Sequence, residues 1–355
     1  MEKNKKIILI AGVLVFFLIL TVLISQPFFK NYFNSCFENK SFFDLKFFSE
    51  LKPAQVSLIA VGDIMLTRGV ETKIAKYGSD YPFLKIRDYL NNGDIVFGNL
   101  ETPIAEGRAI KPGEMLFRSN PGLEKELKAS NFSIVSLANN HTLNFGRSAL
   151  TETFQYLNEV GIKYVGAGIN LEQAYSPTII KINNFSFAFL AFNDIDFTPE
   201  SYGATEELPG IAFMNEERMV QAVKQAKNQA DFVIVSMHSG YEYHNEPNEK
   251  QKRFARLAIK SGAEMVIGHH PHVVQSIEKY NDKYIFYSLG NFIFDQMWSE
   301  ETREGAIIKV IFDKSGVKDF EIKATKIYDY CQPDILSSKE SEPILKRMPV
   351  ETIFE

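Results

Sequence analysis

Two cysteines in 355 residues, Cys36 and Cys331, stand almost a whole chain apart, so the sequence supports neither a disulfide framework nor a thiolate metal site. Phe33-Asn34-Ser35, just before Cys36, lack the small and aliphatic side chains of a lipid-attachment box. Basic excess is missing too. With 39 Lys and Arg against 44 Asp and Glu the net charge is −5, and no cationic stripe is available to neutralise a phosphate backbone, which sets nucleic acid aside as a partner. No internal repeat, low-complexity tract or break in composition divides the region after residue 55, which favours one large domain there.

What is present begins with a hydrophobic segment. Lys3, Lys5 and Lys6 precede an apolar run of 18 residues from Ile7 to Ile24. At ~1.5 Å per helical residue the run spans roughly 27 Å, about the hydrocarbon thickness of a bilayer. It is longer than the apolar part of a secretory signal, and Ser25-Gln26-Pro27-Phe28 offers no small-residue cleavage pattern. The reading is one uncleaved transmembrane signal anchor, 1–26. Lysines before the helix, against a lone Lys30 after it, put the N-terminus in the cytoplasm and the main domain outside the cell membrane. Residues 27–54, with Phe42, Phe43, Phe47 and Phe48 among charges, form a juxtamembrane segment that rests on the bilayer or packs on the domain.

From Val56 onward β-branched runs alternate with helical periodicity, the pattern of α/β layers. Helices are expected over 148–160, 215–229 and 248–260, the first stopped by Gly161 and the third by Gly262. After Ser276 the pattern turns to hairpins, in KYIFYSLGNFIF and in GAIIKVIFDKSG followed by FEIKATKIYDY. The domain is set at 55–330, and 331–355 reads as a surface extension without chemistry.

All six histidines fall between His141 and His272. Strand-like runs end at Asp63, Glu101, His141, His238 and His272, each delivering a metal-ligand type of residue at its C-terminal end. In α/β sheets those ends form the ligand crevice, so five deliveries are expected to converge. Gly62 lets the backbone turn so that Asp63 points out of the sheet end. Asp63 alone would be an ordinary turn former or helix cap; the other motifs change its meaning. In GNLETP, Asn99 and Glu101 share a face, with Glu101 a carboxylate ligand and Asn99 orienting substrate or a neighbouring group. In ANNHTLNFG, Asn140 offers an amide oxygen to metal, and His141 can protonate a leaving group or steady a developing charge. His238 is the ligand candidate of VSMHSGYEYH. Glu242 holds a ligand imidazole or contacts substrate. His244 is solvent-exposed or substrate-facing. In VIGHHPHVVQ, His270 and His272 flank Pro271 and are assigned to metal, leaving His269 to a phosphate-like contact or support of a ligand, with the register open by one residue.

Asp63, Glu101, Asn140, His238, His270 and His272 are too many for one four-coordinate ion. They suit two divalent cations about 3.5–4 Å apart, and the mixed donors favour Mn, Fe or Zn over Ca.

The ordered motifs GDIM, GNLE, NNH, HSGYEY, GHHPHVVQ and SLGNFIFDQ resemble the CapA-type proteins of poly-γ-glutamate capsule synthesis, relatives of calcineurin-like metallophosphoesterases. The resemblance spans roughly Val56 to Ile311. It implies a four-layer α/β/β/α sandwich of metallophosphoesterase type and a role in making, exporting or tethering an anionic glutamate polymer. It implies metal at the six residues above, with His141 as catalytic acid beside Asn99 and Glu242. Arg118, His269, Asn139 and Asn291 are taken as substrate contacts. Basic groups at the rim, Arg68, Arg108, Lys111 and Arg118, would meet the polymer. Three departures stand out. Met65 occupies the place of a first-motif histidine, Asn144 that of an aspartate after NNH, and Ser239 that of an aromatic after His238. The expected function is therefore a binuclear hydrolase acting on capsule polymer, its precursors or another phosphoester. The alternative is a non-catalytic assembly or export subunit that binds the anionic polymer beside capsule synthase subunits.

Overall fold

The run VSLIAVGDI is apolar on both faces, so as a strand it needs a packed layer on each side. It forms the strand Val56–Ile64, buried along nearly its whole length in a computed structural model that describes residues 55–110 and 114–353. The expected anchor and juxtamembrane segment lie outside the described residues. Among the described residues no helix is long and apolar enough to cross a membrane.

Two sheets carry the domain. In the first, the order is Gln332–Ile335, Gly316–Tyr328, Glu304–Asp313, Val56–Ile64, Ile95–Leu100, Ile134–Ser136 and Lys163–Val165, with Asn291–Ile293 also paired to Val56–Ile64. In the second it is Val350–Ile353, Ile277–Tyr280, Lys283–Phe286, Met265–His269, Phe232–His238, Phe185–Asn193 and Thr178–Ile182. Alternation along the strands sends Leu58, Phe97 and Ile134 of the first sheet against Phe189, Ile234 and Ile267 of the second. The opposite face of the first sheet, with Ile59, Val96 and Val135, packs on Leu150, Phe154 and Leu157 of the helix Gly146–Glu159. That of the second, with Leu190, Val233 and Val266, packs on Met219, Val223 and Phe254 of the helices Glu216–Lys227 and Glu249–Ser261. The layers therefore run helix, sheet, sheet, helix, as the family resemblance implies.

The three expected helices form within two residues of their expected bounds. Asn215 and Asn248 cap two of them by accepting backbone N–H bonds from Arg218 and Gln251, and left-handed Gly262 ends the last.

Three expectations change. KYIFYSLGNFIF is not one hairpin. Lys283–Phe286 pairs antiparallel with Ile277–Tyr280 in the second sheet, whereas Asn291–Ile293 crosses to the first and runs parallel to Val56–Ile64. Residues beyond 331 are no surface extension either. Gln332–Ile335 adds to one sheet and Val350–Ile353 to the other, so this segment ties the two together. Its inward side chains Ile344 and Met348 supply the apolar contact that a polar-looking stretch conceals.

Gly62 also acts differently from expectation. It is needed for close approach and not for a turn, because a Cβ there would lie 1.9 Å from the carbonyl oxygen of Gly290. Asp63 then donates its N–H to that same oxygen at 3.0 Å. Gly62→Ala is expected to cost about 3 kcal/mol, since backbone cannot move aside as a side chain can. Urea unfolding of both proteins measures it, and an unchanged midpoint would show that this contact does not pin the strand end.

Candidate metal centre

Strand register assembles the centre. Asp63 lies level with Asn99 on one side and Asn291 on the other. In the second sheet His238 lies level with Asn193 and His269. Asp63, Asn99, Asn193, His238 and His269 sit at C-terminal ends of parallel strands, Asn291 begins its own, and the two sheets bring the rows face to face.

Asp63 is fully buried between the rows. Its Oδ1 accepts from Asn99 Nδ2 at 2.8 Å and lies 3.3 Å from His269 Nδ1, and its Oδ2 accepts the His270 N–H at 3.2 Å and lies 3.4 Å from His272 Nδ1. Burial opposes its charge, yet the adjoining His269 and His272 imidazoles outweigh that and hold its carboxyl well below the usual range. Glu101 is equally buried, with Oε1 3.8 Å from both His141 Nε2 and His272 Nε2. Burial and then the charge of Asp63 push its carboxyl well above the usual value. Burial works against a charge on His272 too, but Glu101 and Asp63 raise it to about 9.

His270 and His272 both adopt positive φ, at 98° and 60°. This left-handed backbone on either side of Pro271 is strained for residues with a Cβ, and such strain clusters at functional sites. It turns both rings into the centre, with centroids 5.9 Å apart. Phe197 stacks on His270 at 3.8 Å. Burial holds His270 and His238 in the neutral form, the form that ligates metal. His238 Nε2 is 3.0 Å from Asn140 Oδ1, and its Nδ1 is 3.2 Å from Asn99 Nδ2.

Two sets of ligand atoms lie within 4.8 Å of one another, Asp63 with Glu101 and His272, and Glu242 with His270 and His272. His272 belongs to both. Buried polar atoms nearly always find a hydrogen-bond partner. Here Glu101 Oε1, His269 Nε2 and His270 Nδ1 have none, and His269 Nδ1 has only the Asp63 oxygen at 3.3 Å. An unpartnered carboxylate oxygen on Glu101 and imidazoles that each keep one lone pair, beside buried Asp63, are the chemistry of a cation site, and the residues fit divalent metal.

His141 sits at the edge of the centre, its ring stacked 3.7 Å over Phe117. Asn144 Oδ1 accepts the Phe117 N–H at 2.8 Å, which fixes the orientation of the amide. The same oxygen lies 2.8 Å from His141 Nδ1, so that nitrogen carries the hydrogen and Nε2 presents a lone pair. Burial lowers the imidazole to about 3. Phe117 and Asn144 thus position His141, and Phe197 positions His270. None of these three was singled out as a contributor from sequence, and for the two phenylalanines, far away along the chain, the sequence holds no signal. Asn144 was visible as a departure from the resemblance without its role as the imidazole's partner.

Three expected substrate contacts are otherwise engaged. Arg118 is buried, donating to the Ala105 and Arg108 carbonyls and to Asn120 Oδ1, so it braces a loop. Asn139 donates to Asn99 Oδ1 and the Leu100 carbonyl, while its oxygen accepts from His141 N and Thr142 Oγ1. Asn291 holds His272 Nδ1 through Oδ1 at 2.9 Å and donates to Gln296 Oε1 and the Thr302 carbonyl. All three side chains are committed inside the protein, and Asn139 has filled its whole hydrogen-bonding capacity there. At the rim, Arg68 pairs with Asp295 and Arg108 with Glu114. Lys111 lies outside the described residues. His244 is exposed.

The model of the bacterial capsule synthesis protein PGA_cap matches residues 57–296, the stretch that holds every residue of the centre. This chain belongs to that family. Over 272 residues the PGA_cap chain is 35% identical to the PGA biosynthesis protein CapA of Bacillus subtilis (strain 168), covering 76% of this chain and 71% of that one. It is 31% identical over 306 residues to the capsule biosynthesis protein CapA of Bacillus anthracis, covering 84% and 74%. A solved structure of a candidate 5'-nucleotidase from Staphylococcus aureus superposes with a TM-score of 0.50 at 14% identity, covering 82% of this chain and 58% of that one, a likeness of fold. Where the resemblance leads one to expect a histidine, this member of the PGA_cap family places Met65, fully buried in the core beneath the first sheet.

Proposed function

We propose that this chain is a metal-dependent hydrolase of phosphoester type, with a pair of divalent cations, acting in capsule polymer synthesis or export at the outer face of the cell membrane. The observation that carries the reading is the group of buried, unpartnered ligand atoms on Glu101, His269 and His270 beside Asp63. Asp63, Glu101 and His272 would hold one cation, and Glu242 and His270, with Asn140 and His238 as further donors, the other, because His272 has a single free lone pair once Asn291 holds its Nδ1. The set mixes carboxylate, amide and imidazole, which suits Mn, Fe or Zn. Bound divalent cations supply Lewis-acid charge and acidify water.

The chain's own groups do the rest. Asn99 keeps Asp63 and His238 in place through one amide nitrogen. Asn291 orients His272. His141, with its hydrogen on Nδ1, presents its Nε2 lone pair 3.8 Å from Glu101 Oε1, where it holds or passes a proton of the reacting group, the acid role that the resemblance implies included. Anchoring through residues 7–24 would keep the centre at the membrane surface. Partnership with capsule synthase subunits, and an anionic glutamate polymer or a phosphoester as substrate, are part of the same reading.

A non-catalytic assembly subunit is the second reading, and the observation in its favour is Met65, which removes one expected imidazole. Metal content and hydrolysis of bis(4-nitrophenyl) phosphate with Mn²⁺, measured on the purified full chain and on His270→Ala, separate the two. About two equivalents and turnover in the wild type are expected, with roughly one equivalent left in the variant because Asp63, Glu101 and His272 remain. Folded wild-type protein without tightly held metal or turnover would leave the assembly role.

A further inference from the structure

A cleft of about 560 Å³ opens beside the centre, with Arg68, Thr72, Tyr243, Asp295, Gln296 and Trp298 among its walls. Its size suits a small-molecule site. It adjoins the candidate ligands directly. Gln296 Oε1 accepts from Asn291, the residue that holds His272, and Tyr243 follows Glu242 in the chain. Anything filling the cleft therefore touches the approach to the centre.

The walls divide into an aromatic corner and a polar side. Trp298 is 63% exposed and meets Tyr243 edge-on with ring centroids 4.7 Å apart, leaving apolar faces open to the cleft. Opposite stand planar hydrogen-bonding groups. Asp295 accepts the Gly69 N–H at 2.9 Å and pairs with Arg68, whose guanidinium also lies 4.7 Å over the Phe117 ring. Gln296 Nε2 donates to Tyr243 Oη at 3.2 Å. Arg68 has φ 54° and ψ −118°, a conformation foreign to residues with a Cβ, so its place in this wall is maintained against strain.

Charge selects the ligand. Among the described lining residues the one cation, Arg68, is compensated by the one anion, Asp295. A stretch of polyanion requires uncompensated cations along its path, and the described residues of these walls supply none. A sugar ring offers a C–H face for the indole and phenol rings, and hydroxyls that accept from the unpartnered Arg68 Nε and join the hydrogen bonds that Asp295, Gln296 and Thr72 already make within the wall. We propose that this cleft is a carbohydrate subsite that seats a neutral sugar ring beside the metal centre. The substrate class then becomes a sugar-bearing phosphoester. This deepens the hydrolase reading and rests on it for the reacting end of the substrate, but not for the cleft.

Trp298 is the single tryptophan of the chain, so intrinsic emission reports on this cleft alone. The purified full chain, in a detergent without a sugar headgroup, is titrated with methyl glycosides of glucose, galactose and N-acetylglucosamine and with the N-acetylglucosamine tetrasaccharide. Each titration is run with EDTA and again with Mn²⁺. A saturable change with at least one sugar is expected under both conditions, weakened tenfold or more in Gln296→Ala and Tyr243→Ala at unchanged far-UV circular dichroism. Thr72→Val, on the opposite wall, serves should either variant fail to fold. No saturable change with any sugar, or a change with γ-linked triglutamate alone, would overturn the proposal. Because binding is read without turnover, loss of the hydrolase reading and loss of the subsite are separate results.

Discussion

His272→Ala is expected to remove one of the two cation equivalents and to lower phosphodiester turnover by a factor of ~10³ or more. The reason is that His272 is the imidazole beside Asp63 and Glu101, with Nδ1 held by Asn291 and its one lone pair, on Nε2, left for a cation. Losing His270 instead leaves that set whole. Metal charge is worth several kcal/mol of transition-state stabilisation, and about 1.4 kcal/mol corresponds to each tenfold in rate, which gives the stated factor. Elemental analysis after dialysis reads the metal, and initial rates at saturating Mn²⁺ read the chemistry. The comparison with His270→Ala carries the argument, since that variant should also keep about one equivalent and the double variant none. Two equivalents retained in His272→Ala would show that His272 ligates neither cation. Asn291 offers a finer check, because its amide holds His272 Nδ1 and should matter less than the imbedded ring it orients.

Much of this centre was legible in the chain because its ligands terminate apolar runs. VSLIAVGD, DFVIVSMH and MVIGHH say both where a strand stops and what it delivers. They do not say which sheet a strand joins, since a strand buried on both faces has the same pattern in either. That is why convergence was foreseen but the facing of two sheets, with Asp63 in one and His269 in the other, rested on the family likeness. Asn139 and Asn140 show the limit at single residues. Both are amides in one motif, and only the backbone direction decides that Asn139 secures the loop while Asn140 reaches His238. Arg118 fails for a different reason. A loop arginine in a sequence looks solvated until tertiary carbonyls such as those of Ala105 and Arg108 claim its guanidinium. The segment after Cys331 misled through composition, as short polar edge strands resemble tails.

Chelation should reveal what the acids cost when no cation offsets them. With cations at about a hundredfold above their dissociation constants, each contributes ~2.7 kcal/mol to the folded state, so EDTA is expected to lower the melting temperature by roughly 10 °C or more. The pH dependence adds a signature that nonspecific loss of stability lacks. In metal-free protein His272 is raised to about 9 from an ordinary value near 6.5. A group with a higher pKa when folded stabilises fully below its unfolded value and loses that contribution as pH rises through the folded one. The raised carboxyl of Glu101 has the same sign. The neutral imidazoles of His141, His238 and His270 have the opposite sign and act below about pH 6.5, outside this window. Between pH 6.5 and 9 the metal-free chain should therefore lose stability, by ~3 kcal/mol from His272 alone. The metal-loaded chain should not, because ligation needs His272 deprotonated and grows stronger as protons leave. Urea midpoints at pH 6.5, 8 and 9, with EDTA and with Mn²⁺, give the two slopes. Parallel slopes would mean that no cation sits on His272, and the buried acids would then be neutralised by protons alone.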